Sequence, residues 1–263
     1  MGRLHPREPR MVLLADLLAH LDDFLDVSAV RDYGPNGLQV EGRPEVRKVA
    51  LGVSAARDFL QQAAAWGADA AIVHHGIFWR GQGEMRVERA LRARLKLLLD
   101  AEMSLLAYHL PLDRHPLVGN NAVLARRLGA EVVDAAFEHE GVPIGVVAEF
   151  AAPVTLGGIA ARIDAALRRA PLVIEAGERP VRRFGIVSGG APKYLDEAAR
   201  RGLDLFLTGE PSEAAVHLAR EEGIHFVAAG HHATERFGVQ ALGEHLVERF
   251  GVDVRYFELD NPV

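Results

Sequence analysis

The stretch Phe226-Val227-Ala228-Ala229-Gly230-His231-His232-Ala233-Thr234-Glu235 decides the fold class. An apolar run stops at Gly-His-His, and a carboxylate follows four residues after the first histidine. Such a run reads as a buried strand of an α/β sheet. Polar residues just past it lie at the strand's carboxyl end, where open α/β sheets hold their ligands. Imidazole and carboxylate at that position are metal-ligand types.

Two other stretches share this design. A strand over 70–73 ends at His74-His75-Gly76, and a strand over 104–108 runs into His109-Leu110-Pro111-Leu112-Asp113. Around them the pattern predicts a helix over 11–25 and a loop rich in turn formers over 31–42. A strand over 46–53 ends at Ser54, and a helix over 55–66 is closed by Gly67. Helices over 88–101 and 121–128 complete the first passage. From residue 131 the order is less regular, with a strand over 142–150 and a helix that Thr155 caps, running to about 169. The first pattern then returns. A strand over 183–187 ends at Ser188-Gly189-Gly190, and Pro192 opens a helix to 201. A strand over 203–207 ends at Thr208-Gly209-Glu210, a helix covers 212–222, and the strand over 225–229 leads into the opening stretch.

The two passages read as degenerate copies. Gly67-Ala68-Asp69 and Gly202-Leu203-Asp204 correspond, which puts His74 and His75 opposite Gly209 and Glu210. Further on, His109 falls opposite His231 and Asp113 opposite Glu235. Chance likeness between generic α/β segments is the alternative. The expected fold is therefore α/β: two similar βαβ-rich domains from an internal duplication, sheets flanked by helices, with a metal site between the domains. Residues 1–10 read as a mobile extension, 11–130 as the first half and 131–263 as the second. Either Met1 or Met11 fits as the start.

Composition narrows the chemistry. The 263 residues carry a formal net charge of −6 and no cysteine, so disulfides, thiolate metal sites and a cysteine nucleophile are excluded. Mild acidity gives no reason to expect nucleic acid or anionic membrane as a partner. The basic opening and apolar start resemble a signal peptide only superficially, because Asp16 interrupts the apolar part. No run is long and apolar enough to span a membrane, and the cytoplasm is the expected location.

Adjacent residues in a regular strand point to opposite faces, so His74 and His75 share a site only where the pleat breaks, which Gly76 permits. His109 and Asp113, like His231 and Glu235, are four apart. That spacing gives one face of a helix or proximity at a strand tip, and Pro111 argues for a loop in the first case. Capped, hydrogen-bonded histidines are the structural alternative for each pair alone. Together the strand ends offer more nitrogen and oxygen donors than one tetrahedral zinc needs. They suit two divalent ions bridged by a carboxylate, roughly 3.5–4 Å apart in typical sites, with Zn, Mn, Fe, Co and Ni all compatible. Ser54 and the Ser188-Gly189-Gly190 turn each precede a helix and could hold a phosphate. His20, His115, His139, His217, His225 and His245 read as surface or helix-face residues. His109, His232 and Glu210 are the candidates for proton transfer, with His232 and Thr234 also placed to orient ligands.

His74-His75-Gly76-Ile77-Phe78-Trp79, Tyr108 to Asp113, Gly119-Asn120-Asn121, Gly230 to Glu235 and Asn36-Gly37-Leu38-Gln39-Val40 closely resemble the GTP cyclohydrolase 1 type 2 homologue family. This family is also called Nif-three-like, or dinuclear metal centre proteins. The resemblance runs from about Met11 to the end and implies metal ligands at His74, His75, Asp113, His231 and Glu235, with His109 a family histidine near the site. It implies a ring-shaped homohexamer in the short form without an inserted domain. The expected activity is metal-dependent hydrolysis of a small phosphorylated or nucleotide-like substrate; the alternative is a non-catalytic metal-binding or regulatory ring scaffold.

Overall fold

The computed structural model describes residues 10–81 and 86–263. The proposed extension over residues 1–10 thus lies almost wholly outside the described residues. In chain order the elements are β1 (Val12–Leu13), α1 (Leu14–Phe24), β2 (Gly37–Val40), β3 (Glu45–Val46), β4 (Lys48–Ser54), α2 (Arg57–Trp66), β5 (Ala70–His75), α3 (Arg89–Asp100), β6 (Ser104–Ala107), α4 (Leu110–Arg114) and α5 (Asn120–Arg127). There follow β7 (Glu131–His139), β8 (Val142–Val154), α6 (Leu156–Leu167), β9 (Leu172–Ile174), β10 (Val181–Ile186), α7 (Leu195–Arg200), β11 (Leu205–Thr208), α8 (Glu213–Glu222), β12 (His225–Ala228), α9 (His231–Phe250) and β13 (Asp253–Tyr256). The chain forms two compact units. The first comprises the described residues of Met1–Val27 with Asp32–His109 and Leu242–Leu259; the second comprises Ser28–Arg31, Leu110–Ala241 and Asp260–Val263.

In the first unit the sheet order is β13-β4-β5-β6-β2. β13, β4, β5 and β6 run parallel, and β2 closes the edge antiparallel to β6. The crossovers are α2 and α3, whose apolar faces cover the sheet through Phe59, Leu60 and Leu98 against Val73 and Leu105. α2 stops where Gly67 takes a left-handed φ of 76° and its N–H bonds back to the last turn.

The second unit has the order β7-β8-β10-β11-β12-β9. β10, β11 and β12 are parallel, β9 is antiparallel to β12, and β8 is antiparallel to β10. Alternate residues of the central strands feed two separate cores. Leu205, Leu207 and Val227 join Phe150, Ile159 and Phe184, whereas Phe206 and Phe226 join Phe137 and Leu195. Helices or strands thus cover both faces, which is why these strands are apolar throughout rather than alternating.

Part of each sheet repeats one plan: three consecutive parallel strands, β4, β5 and β6 or β10, β11 and β12, with an antiparallel edge strand from earlier in the chain, β2 or β9, beside the last of them. The repetition reaches single hydrogen bonds. Asp69 Oδ2 accepts from the N–H groups of Arg47 and Lys48 at 2.8 and 3.0 Å, and Asp204 Oδ2 accepts from Arg182 and Arg183 at 2.9 and 3.0 Å. An arginine pairs with each carboxylate, Arg43 with Asp69 and Arg179 with Asp204.

Several local readings are corrected. Part of the supposed 31–42 loop is β2, a short edge strand hidden among turn formers. β7, β9 and β13 carry exposed residues and lie at sheet edges, so their periodicity is weak. Val12–Leu13 pairs with β3 before α1 begins. Pro111 lies within α4, not in a loop; in a first turn its missing N–H removes no helical bond. His225 and His115 are buried, 1% and 8% exposed. The His225 ring accepts from Ala176 N and contacts Arg179 O, and His115 Nδ1 accepts from Leu117 and Val118. Among the described residues no helix is long and apolar enough to cross a membrane.

Candidate metal centre

In the first unit three histidines meet at the carboxyl ends of β5 and β6. The rings of His74 and His75 lie 4.7 Å apart, and each is within 5.5 Å of the His109 ring. Their donor nitrogens all fall within 4.8 Å of one another, so the three could hold a metal ion. Gly76 matters because Gln39 packs over it: a Cβ there would stand 2.3 Å from the Gln39 amide.

Each ring is fixed through Nδ1. His74 Nδ1 is 3.0 Å from Tyr108 O, a carbonyl that only accepts, so this nitrogen carries the proton and Nε2 the lone pair. His109 Nδ1 is 2.7 Å from Asp32 Oδ1, and His75 Nδ1 is 3.1 Å from Ser54 Oγ. Asp32 is itself held, since Asn36 Nδ2 donates to Oδ2 at 2.9 Å while Asn36 Oδ1 accepts from His109 N at 2.8 Å. An oxygen behind Nδ1 is the usual support of a metal-binding histidine, because it sets the tautomer and raises basicity.

The second unit gathers carboxylates. His231 and Glu235 occupy the first turns of α9, with Nε2 3.2 Å from Oε2. His231 Nδ1 lies 2.5 Å from Glu210 Oε1, at the end of β11. The His231–Glu235 spacing is therefore helical. Asp113, at the start of the second unit, accepts from Asn120 Nδ2 at 2.9 Å and Ser188 Oγ at 3.0 Å. Asn120 Oδ1 in turn accepts from Gly238 N, and Asn121 Oδ1 accepts from Ser188 N. The Gly119-Asn120-Asn121 motif thus ties Asp113 to α9 and to the end of β10. Gly189 has φ +65°, and a Cβ there would meet Glu235 Oε1 at 2.1 Å. Thr234 accepts from Gly189 N at 3.0 Å and fixes that turn.

Burial lowers the His231 pKa, but the hydrogen bond and charge of Glu235, then of Glu210, raise it further, to about 9. A cationic imidazolium between two carboxylates marks a place where positive charge is held. A divalent ion at Nε2 would replace that proton, with Nδ1–H still donating to Glu210. The donor chemistry of both units fits divalent metal ions of the N/O-binding kind.

His74, His75 and His109 are brought together, as are His231, Glu235 and Glu210. His232 follows His231 on α9, about 100° around the helix, and its N–H is spent on Val263 O. Sequence reasoning missed Asp32, which lies 77 residues before His109 in a loop with no distinguishing signal. It also missed the Asn120 bridge, visible only as a quoted motif. Ser54 is found on His75 rather than on a helix N-terminus.

The model of the family described as DUF34/NIF3 (NGG1p interacting factor 3) matches residues 12–262. A Pseudomonas aeruginosa protein called GTP cyclohydrolase 1 type 2 homolog is 47% identical over 251 residues, spanning 95% of this chain and 99% of that protein. The Escherichia coli K12 protein of the same name is 45% identical over 243 residues, 92% of this chain and 96% of that one. Among solved structures, a structural-genomics protein, ybgI, of unknown function, superposes with TM-score 0.91 at 43% identity, covering 96% of this chain and all of that one. TTHA1606 from Thermus thermophilus gives 0.86 at 36% identity, again covering 96% and 100%. Reduced HcgD from Methanocaldococcus jannaschii, 19% identical with TM-score 0.83 over 96% and 100%, shares the fold.

Proposed function

This chain belongs to the DUF34/NIF3 family, and on that premise we propose that it binds two divalent metal ions through His74, His75, Asp113, His231 and Glu235 and acts as a metal-dependent hydrolase. The substrate class is a small phosphorylated or nucleotide-like molecule, as the name of its relatives suggests. The observation that carries the reading is the set of donor histidines whose Nδ1 atoms are each held by an oxygen, leaving Nε2 as the ligand atom. Bound ions would supply an acidified water and positive charge for a substrate oxygen.

The chain's own residues do the rest. Asn120 and Ser188 hold Asp113, so one carboxylate oxygen stays in a fixed place. Asp113 and Glu235 would supply the carboxylates that hold the ions in this reading. Glu210, 41% exposed at its side chain, can take a proton from His231 Nδ1 and pass it to water. The His109–Asp32 pair is a second proton carrier, or, with His74 and His75, a further metal donor. His232 has the weaker place on α9. A cytoplasmic homohexamer completes the reading.

Metal analysis with native mass spectrometry tests it, because metal identity, metal count and subunit number are read together. Expected are two metals per subunit in a hexamer, with occupancy lost in His231→Ala and Asp113→Ala and largely kept in His232→Ala. Equal retention of two metals in all three variants overturns the ligand assignment. The hydrolase reading fails if metal-loaded protein leaves GTP and a phosphoester panel untouched and Glu235→Gln behaves identically.

A further inference from the structure

The first turns of α9 carry His231 and Glu235, yet the entry to this helix lacks the usual side-chain support. Gly230 O accepts the first helical bond, from Thr234 N at 3.0 Å, which makes Gly230 the capping residue. Serine, threonine, asparagine or aspartate in that place would satisfy one of the free N–H groups of the first turn, and glycine has nothing to offer them. Gly230 has φ +97°, a conformation that L side chains rarely adopt, and a Cβ there would stand 3.0 Å from Cδ and Nε of Arg169.

A segment distant in sequence takes over the cap. His232 N donates to Val263 O at 3.1 Å. Arg169, which lies across Gly230, donates from Nη1 to Pro262 O. Asn261 Oδ1 accepts from Val263 N at 2.9 Å and folds the segment back on itself. Residues 260–263, Arg169 and the first turns of α9 all belong to the second unit.

This attachment is polar and thin. Residues 260–263 are all exposed, Val263 at 56%, so little apolar burial adds to the hydrogen bonds. Segments held by solvent-facing hydrogen bonds and little buried surface open locally at low cost. Opening here removes the cap from the turn that holds two of the proposed metal ligands.

We propose that residues 260–263 act as a releasable latch on α9. Closed, they cap its first turn and hold His231 and Glu235 in place; open, that turn frays and metal exchanges faster. The cap stands on the hydrogen bonds above, whereas its effect on metal rests on the metal-centre reading.

Deletion of Pro262 and Val263 and the substitution Arg169→Ala each remove one anchor. On metal-stripped protein, amide hydrogen exchange over residues 231–235 should speed at least about five-fold in both, as for a lost helix cap, with exchange over β11 and β12 unchanged. Arg169→Lys keeps a donor for Pro262 O and should lie nearer the unaltered chain. On zinc-loaded protein, transfer of zinc to a chelator should speed by a similar factor. The proposal is overturned if exchange over 231–235 is unchanged in both variants, or if it rises equally over β11 and β12, which is general loosening. Faster local exchange without faster zinc transfer overturns the gating of metal and leaves the cap. If the unaltered chain takes up no zinc, the metal centre falls and the gating with it, while hydrogen exchange still decides the cap.

Discussion

At the scale of a residue, His231 decides how proton and metal compete. Its folded pKa of about 9 lies above the ordinary 6.5. In metal-free protein the resulting stabilisation is fully present below pH 6.5 and is lost as pH rises through 9. Partial exposure to water reduces the effect, so the loss should be about 1–2 kcal/mol. Urea unfolding of stripped protein at pH 6 and pH 9.5 measures it, and His231→Gln should flatten the difference. Metal uptake runs the opposite way, strengthening from pH 6.5 to 9 as the proton leaves. Uptake that weakened over that range would contradict the ligand role. Gly189→Ala makes a second case: with φ +65° and a Cβ 2.1 Å from Glu235 Oε1, it should displace the carboxylate and lower metal content several-fold while circular dichroism stays native. Of these residues the sequence shows the histidines and carboxylates by type and by place after a strand. Asp32 stayed hidden, because its pairing with His109 is made by the tertiary fold.

At the scale of elements, the duplicated carboxylates carry the clearest energetic statement. Asp69 and Asp204 each accept two backbone N–H bonds at the entry to a central strand. Removing either leaves two donors without their charged acceptor, which should cost about 2 kcal/mol. Asp69→Ala and Asp204→Ala, followed by denaturant unfolding, should each show this loss; an effect below about 0.5 kcal/mol would make the bonds incidental. A different pair joins α1 to α9, where His20 and His245 meet at 2.8 Å through Nε2. Burial, then the neighbouring histidine for His20, holds both pKa values below 6.5. Their contribution is present above pH 6.5 and fades as pH falls through the folded values, so the thermal midpoint should drop between pH 7 and pH 5. His20→Phe should reduce that slope, and an unchanged slope would assign it to other groups. The parallel strands and their crossover helices were legible because apolar runs alternate with helical periods. The edge strands were not, since β2, β9 and β13 span three or four residues with few apolar neighbours to set a period.

At the scale of the whole molecule, the proposed ligand set draws on both compact units, which gives a thermodynamic signature that neither unit could give alone. A ligand that binds only the folded chain stabilises it by mass action, about 4 kcal/mol at a thousand-fold excess over Kd. If the five residues serve one dinuclear centre, added Zn or Mn should raise the unfolding temperature of the chain as one transition. His74→Ala from the first unit and Asp113→Ala from the second should then each abolish most of that gain. If instead each unit bound its own ion independently, either variant would leave about half of it, and two transitions would separate as metal is added. Differential scanning calorimetry across a metal titration distinguishes these outcomes without assuming any activity. A chain whose transition does not move with metal, while metal analysis finds ions bound, would carry them on sites indifferent to folding, and the shared centre would have to be abandoned.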